Sequence, residues 1–179
     1  LTELFNRRHT MERLEEEIAR GIRNKKPLSI AMMDIDKFKY INDTWGHPGG
    51  DFALIHVAEH LKKNLRISDV VGRIGGDEFL AILPETEFEA AMKIMNRIIS
   101  NISSVPHKKI LPYELKSNES ETGNNAKKPL FIPISISIGT STLIPESRED
   151  IHRIYSIADQ MLYESKSKGC GQCSGKNMD

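Results

Sequence analysis

Apolar residues recur at Met11, Leu14, Ile18 and Ile22, a spacing that lines one face of a helix over about residues 9–24. Pro27 stops that helix. Leu28 to Met33 is a short, mostly apolar run, which predicts a strand leading into Asp34. A short helix is expected from Lys37 to Trp45, with Asp36 as its N-cap, before Gly46, Pro48, Gly49 and Gly50 break the chain. Leu54, Ala58, Leu61 and Leu65 then share one stripe of a longer helix. Two strands follow, Val70 to Ile74 and Phe79 to Leu83, joined at Gly75-Gly76, where a tight hairpin would need positive φ at both central residues. Phe88, Ala91, Met92, Met95, Ile98, Ile99 and Ile102 mark the clearest helix. Residues 107–130 lack periodicity and read as a flexible insertion. Ile134, Ile136 and Ile138 alternate with Ser135 and Ser137 in a strand running from Ile132 to Thr142. Ile151, Ile154, Ala158, Met161 and Leu162 define the last helix. Short further strands are expected around 107–115 and 170–176. The sum is α+β: a sheet with an antiparallel hairpin and helices on its faces, in one domain over 1–179.

Composition narrows this only a little. A chain of 179 residues, 39% apolar and 28% charged, is large enough for a real core and reads as soluble and globular. Formal charge is zero, so a broad grip on a nucleic-acid backbone is not expected, whereas a small charged ligand held by local groups is. No apolar run reaches membrane-spanning length, and Leu1-Thr2-Glu3-Leu4 shows no signal-peptide pattern. Cys170 and Cys173, the two cysteines, build no disulfide framework, which favours a reducing cytoplasm. The opening without methionine is read as a piece of a longer protein.

Candidate chemistry gathers at one place. Asp34 ends the first strand, and Asp77-Glu78 stand at the hairpin tip. If the hairpin lies beside that strand, these acids reach the same edge of the sheet. Clustered carboxylates repel, and oxygen donors without His or Cys favour Mg²⁺ or Mn²⁺ over zinc. A solvated turn is the plainer reading of Gly-Gly-Asp taken alone. The helix start after Asp36 changes the picture, because free N–H groups there can receive phosphate. Metal edge and phosphate turn together suit a nucleoside triphosphate. Asn42 and Asp51 carry groups that can read a purine edge, although each taken singly is ordinary surface.

These residues resemble the GGDEF domain family, the diguanylate cyclases. Gly75-Gly76-Asp77-Glu78-Phe79 stands intact, and Asp34 to Asp51 is similar to the family's DxDxFKxxND…GHxxGD block. Leu1 to Arg8 resembles LTGLxNRR with Glu3 in place of glycine; Ser137-Ile138-Gly139 and Ala158 to Tyr163 are similar to later blocks. The resemblance runs nearly end to end. It implies a fold like nucleotidyl cyclases and polymerase palms, and condensation of two GTP into cyclic di-GMP and pyrophosphate. By it, Asp34, the Ile35 carbonyl and Asp77 hold divalent metals, with Glu78 as further ligand or proton acceptor. Asn42 and Asp51 bind guanine, the amides near Lys37 and Phe38 face the β- and γ-phosphates, and Lys166 reaches the triphosphate. A ribose 3′-hydroxyl attacks an α-phosphorus in line, and the metals share the charge. One domain holds one GTP, so a two-fold homodimer is expected, driven by an upstream sensor domain.

Arg66-Ile67-Ser68-Asp69 stands at the offset of the family's RxxD product-inhibition motif, where cyclic di-GMP would bind, with Arg97 as a second arm; an Arg–Asp surface pair is the alternative. One departure stands out. The family's AKxxGRN keeps its lysine as Lys166, but Cys170 occupies the arginine position. Losing a well-formed charged contact costs about 1.5–3 kcal/mol, so GTP binding would weaken roughly ten- to a hundredfold, with Lys168 compensating in part. A GGDEF-like module that binds GTP or cyclic di-GMP without turnover is therefore the alternative, and a cyclic dinucleotide containing adenine is a third. The Cys170/Cys173 pair is at most half of a zinc site or a redox pair, and His56 and His60 read as an exposed helical face.

Overall fold

A computed structural model describes residues 1–103 and 132–178. The expected insertion at 107–130 and the expected strand near 107–115 lie outside the described residues. The elements run β1 (Phe5–Asn6), α1 (Arg7–Asn24), β2 (Leu28–Ile35), α2 (Phe38–Asn64), β3 (Val70–Arg73), β4 (Glu78–Pro84), α3 (Phe88–Ser103), β5 (Ile136–Leu143), α4 (Asp150–Ser167) and β6 (Cys173–Asn177). The six strands form one mixed sheet in the order β1-β3-β4-β2-β5-β6, which is the α+β architecture expected.

β2 lies at the centre and is antiparallel to both neighbours, β4 and β5. It is buried on both faces apart from half-buried Asp34, which explains its unbroken apolar run. Met33 and Phe79 pack on the face covered by α2 and α3, with Val57, Leu61, Met95 and Ile98. Met32 and Leu80 pack on the opposite face, with Leu14 and Ile18 of α1 and Ile154 and Leu162 of α4. Alternation along the strands therefore points Asp34 and Glu78, which are paired in register, toward the α1/α4 face.

α1 starts at Asn6, whose side chain accepts from the His9 amide at 2.9 Å, and ends at Lys25 in the left-handed region. The two helices expected on either side of Gly46 are the arms of α2, kinked where Gly46 takes φ 72°. β1, two residues parallel to β3, was too short to leave a periodic signal. β6, expected near 170–176, runs parallel to β5. Gly139 decides how closely α4 lies on the sheet: a Cβ there would stand 2.1 Å from the Ala158 carbonyl and 2.1 Å from the Leu162 nitrogen. The helix backbone thus rests on the strand, and α4 is pinned at the height that sets Lys166. Among the described residues no helix is long and apolar enough to cross a membrane.

Two expectations are corrected here. Gly75 and Gly76 do not have positive φ. β3 ends at Arg73 and β4 begins at Glu78, so the connection is wider than a two-residue turn. Gly75 is required by space instead, since a Cβ there would lie 2.2 Å from a carboxylate oxygen of Glu78. His56 is buried at 5% exposure rather than part of an exposed face, and its ring lies 4.2 Å from that of half-buried His60.

Candidate active site

The ladder between β2 and β4 sets Asp34 directly opposite Glu78. The Ile35 amide donates to the Asp77 carbonyl at 3.3 Å, so the hairpin tip is tied to the end of β2. Asp34 lies close enough to Asp77 and Glu78 to feel their charges. Burial pushes the Asp34 carboxyl above the ordinary range and the negative charges of Asp77 and Glu78 push it further, while the hydrogen-bonded Lys166 pulls it down. Lys166 Nζ reaches from α4 to Asp34 Oδ1 at 2.9 Å. A cation already sits against half-buried Asp34, carried on the helix that Gly139 lets lie close to the sheet.

Among the described residues no group of three or more His, Cys, Asp or Glu side chains could cage an ion. The donor chemistry here fits an ion that takes one or two carboxylates and leaves its other positions to water and substrate phosphates, which is the habit of Mg²⁺.

The expected cap is not made by Asp36. Its carboxylate is buried and accepts from Ser135 Oγ at 2.7 Å, Ser137 Oγ at 2.6 Å and the Gly171 amide at 2.9 Å. Asp36 thus joins the β2–α2 turn to β5 and to the loop before β6. Lys37 precedes α2 in a left-handed conformation (φ 55°), and no side chain caps the helix among the described residues. The first amides of α2, from Phe38 onward, are left for an outside acceptor. A cleft of about 550 Å³ lies beside this turn, between Lys37 and Tyr40 on one side and Pro133, Gly169 and Cys170 on the other. That volume is within the range of small-molecule sites.

Asn42 and Asp51 stand on opposite arms of α2, and the kink folds the arms together. Asn42 packs on Gly50, where a Cβ would be 2.2 Å from its Oδ1, and exposed Asp51 is the next residue along the chain.

Cys170, the residue at the expected arginine position, lies on the cleft with φ 62°. Burial, then the negative charge of Asp36, push its thiol up; burial likewise raises Cys173, which packs against Met92 and Thr140. Both are free thiols, and neither has the low pKa of a redox nucleophile. Lys168, expected to compensate in part, has its exposed ammonium paired with Glu164.

Arg66 and Asp69 close a turn in which the Arg66 amide donates to Asp69 Oδ2 at 2.8 Å, leaving the Arg66 side chain exposed. Arg97 reaches over from α3 to the Asn64 carbonyl at 3.0 Å. The three residues therefore gather at the C-terminal end of α2. Arg73, not singled out from the sequence, donates to the Gly76 carbonyl from Nε at 3.0 Å and Nη2 at 2.6 Å. Its one signal was a charge inside the otherwise apolar Val70 to Ile74 run.

Comparison with known proteins shows the family and the fold. The family model described as diguanylate cyclase, GGDEF domain, matches residues 1–113. The chain is 37% identical over 169 residues to the diguanylate cyclase DosC of Escherichia coli, covering 94% of this chain and 33% of DosC. It thus spans a third of that curated relative's length. Among solved structures, the GGEEF domain of a diguanylate cyclase from Vibrio cholerae matches with a TM-score of 0.81 at 29% identity, covering 99% of this chain and 100% of that one. The coiled coil and GGDEF domain of DgcB from Caulobacter crescentus, in complex with c-di-GMP, matches with a TM-score of 0.81 at 25% identity, covering 98% and 83%.

Proposed function

The chain belongs to the GGDEF domain family, and on that premise we propose that it is the catalytic domain of a diguanylate cyclase, making cyclic di-GMP from two GTP. The observation that carries this reading is the pairing of Asp34 with Glu78 across adjacent strands, with the Lys166 ammonium 2.9 Å from Asp34. An acidic edge that already holds a cation is suited to Mg²⁺ or Mn²⁺ entering with a triphosphate.

Asp34, the Ile35 carbonyl and Asp77 are the groups that would hold the divalent ion. When bound, that ion supplies positive charge that acidifies the attacking hydroxyl and shares the charge on the transferred phosphate. Glu78, at the head of β4, accepts the proton from the 3′-hydroxyl or supports the ligands. The uncapped amides after Lys37 receive the β- and γ-phosphates, since a helix N-terminus favours anions. Lys166 leaves Asp34 for the triphosphate once the acid has a stronger partner. Asn42 and Asp51 read guanine: a carboxylate accepts from N1–H and N2–H₂ but offers adenine N1 no donor. Arg66, Asp69 and Arg97 form the site for cyclic di-GMP acting as inhibitor. Catalysis takes a homodimer. The domain works in a reducing cytoplasm, under a sensing segment that is part of the longer protein.

Cys170 supports a second reading, a module that binds GTP or cyclic di-GMP without turnover. Lys168 would have to leave its exposed partner Glu164 to replace the lost charge. Incubation with GTP and Mg²⁺ separates the two by product mass. Cyclic di-GMP is expected from the chain and none from Asp77→Ala. Nucleotide bound without product, at protein concentrations high enough for pairing, overturns the enzyme reading in favour of the module.

A further inference from the structure

We propose that Arg73 is a positioning residue for Asp77: its guanidinium fork fixes the Gly76 carbonyl and so aims the acid that follows. The inference rests on the reading of Asp77 as a metal ligand.

The hairpin tip has little to hold it. Gly76 is exposed, its φ is not in the left-handed region, and a Cβ built there meets nothing within 4 Å. Its carbonyl takes two bonds from Arg73, at 3.0 Å from Nε and 2.6 Å from Nη2. The neighbouring carbonyls are held by backbone: Asp77 by the Ile35 amide at 3.3 Å, and Glu78 by the Ile74 and Gly75 amides at 2.9 and 3.3 Å. Among the described residues, Arg73 is thus the side chain that joins this set. The carbonyl of Gly76 and the Cα of Asp77 belong to one peptide plane. With the Asp77 carbonyl held by Ile35, fixing the Gly76 oxygen as well holds the peptide planes on both sides of Asp77, and so limits the direction in which its side chain leaves the backbone. A planar fork making two bonds resists rotation of the plane, whereas a single ammonium contact does not. The base of the fork is firm, because Arg73 pairs with Phe79 on β4 and Asn6 on β1. Two flexible glycines can therefore precede a ligand that must be placed accurately.

The test uses Arg73→Gln and Arg73→Lys in the whole chain. Amide exchange at 76–78 is measured without metal, Mn²⁺ affinity by calorimetry, and turnover by product mass. Arg73→Gln is expected to speed exchange at the tip while the rest of β4 stays protected. It should weaken Mn²⁺ binding about tenfold, as loss of a residue supporting a ligand commonly does. kcat should fall by a similar factor with KM for GTP little changed. Arg73→Lys, which keeps charge and length, guards against a fold that fails without arginine, and it should be impaired as well. Full Mn²⁺ affinity in both variants overturns the proposal. So does a rise in KM alone, which would make Arg73 a nucleotide contact, or complete rescue by lysine. If the unaltered chain makes no cyclic di-GMP, the enzyme reading fails by itself, and exchange and Mn²⁺ binding still decide the role of Arg73.

Discussion

Glu3 holds φ 53°, a left-handed conformation that costs an L residue about 1 kcal/mol or more and costs glycine nothing. The segment it resembles has glycine there. In partial return, the Glu3 carboxylate lies 3.4 Å from Lys62 Nζ, but that side chain is 89% exposed, so the pair contributes little. Glu3→Gly is expected to raise the unfolding free energy by about 0.5–1 kcal/mol net of the added freedom of glycine in the unfolded chain. Urea unfolding checks this, and a lower midpoint would show that the ion pair matters more than the backbone. Cys170 poses the reverse case. It sits at φ 62° on the cleft beside Lys37, and arginine would carry the same backbone cost as cysteine. Cys170→Arg therefore adds a fixed positive charge without new strain. KM for GTP should fall about tenfold, the worth of one charged hydrogen bond, with kcat little changed. An unchanged KM would mean that this rim does not meet the phosphates.

At the scale of elements, the seating of α4 on β5 governs the site. Gly139 allows the helix backbone to touch the strand, and that contact sets how far Lys166 reaches toward Asp34. Gly139→Ala should cost about 3 kcal/mol in urea unfolding, as overpacking with no flexible neighbour does. Gly76→Ala, with open space and an ordinary φ, should change stability by under about 1 kcal/mol. Equal effects would show that α4 can shift without cost. This pair also shows what the chain's pattern reveals and hides. Helical stripes such as Leu14 and Ile18, and the buried run of β2, were legible because periodicity reports which face is covered. β1 left no pattern over two residues, and the kink joining the arms of α2 looked like a break. Glycines were visible, but not their reasons: Gly75 is filled by its neighbour's carboxylate, and Gly139 by a helix far along the chain. Asp36 read as a local cap, whereas its partners lie on β5 and beyond α4. Contacts across such distances leave no local spacing to read.

At the scale of the whole molecule, the proposed roles of the acids, the turn before α2 and Asn42 with Asp51 would account for one nucleotide. Asp34 and Glu78 pair on adjacent central strands, and among the described residues that pairing positions no second GTP whose 3′-hydroxyl could attack the first. The proposed product contains two such linkages, each formed between two nucleotides. Two domains facing each other across a two-fold axis meet that need, each presenting its own GTP to the other. The reaction order follows. Below the dissociation constant of the pair, the rate of cyclic di-GMP formation should rise with the square of protein concentration, so activity per molecule should rise about tenfold for each tenfold increase. Above that constant, activity per molecule should level off. Turnover measured over several decades of concentration, beside sedimentation of the same samples, checks both limbs. Constant activity per molecule in samples that sediment as monomers would mean that one domain holds both nucleotides.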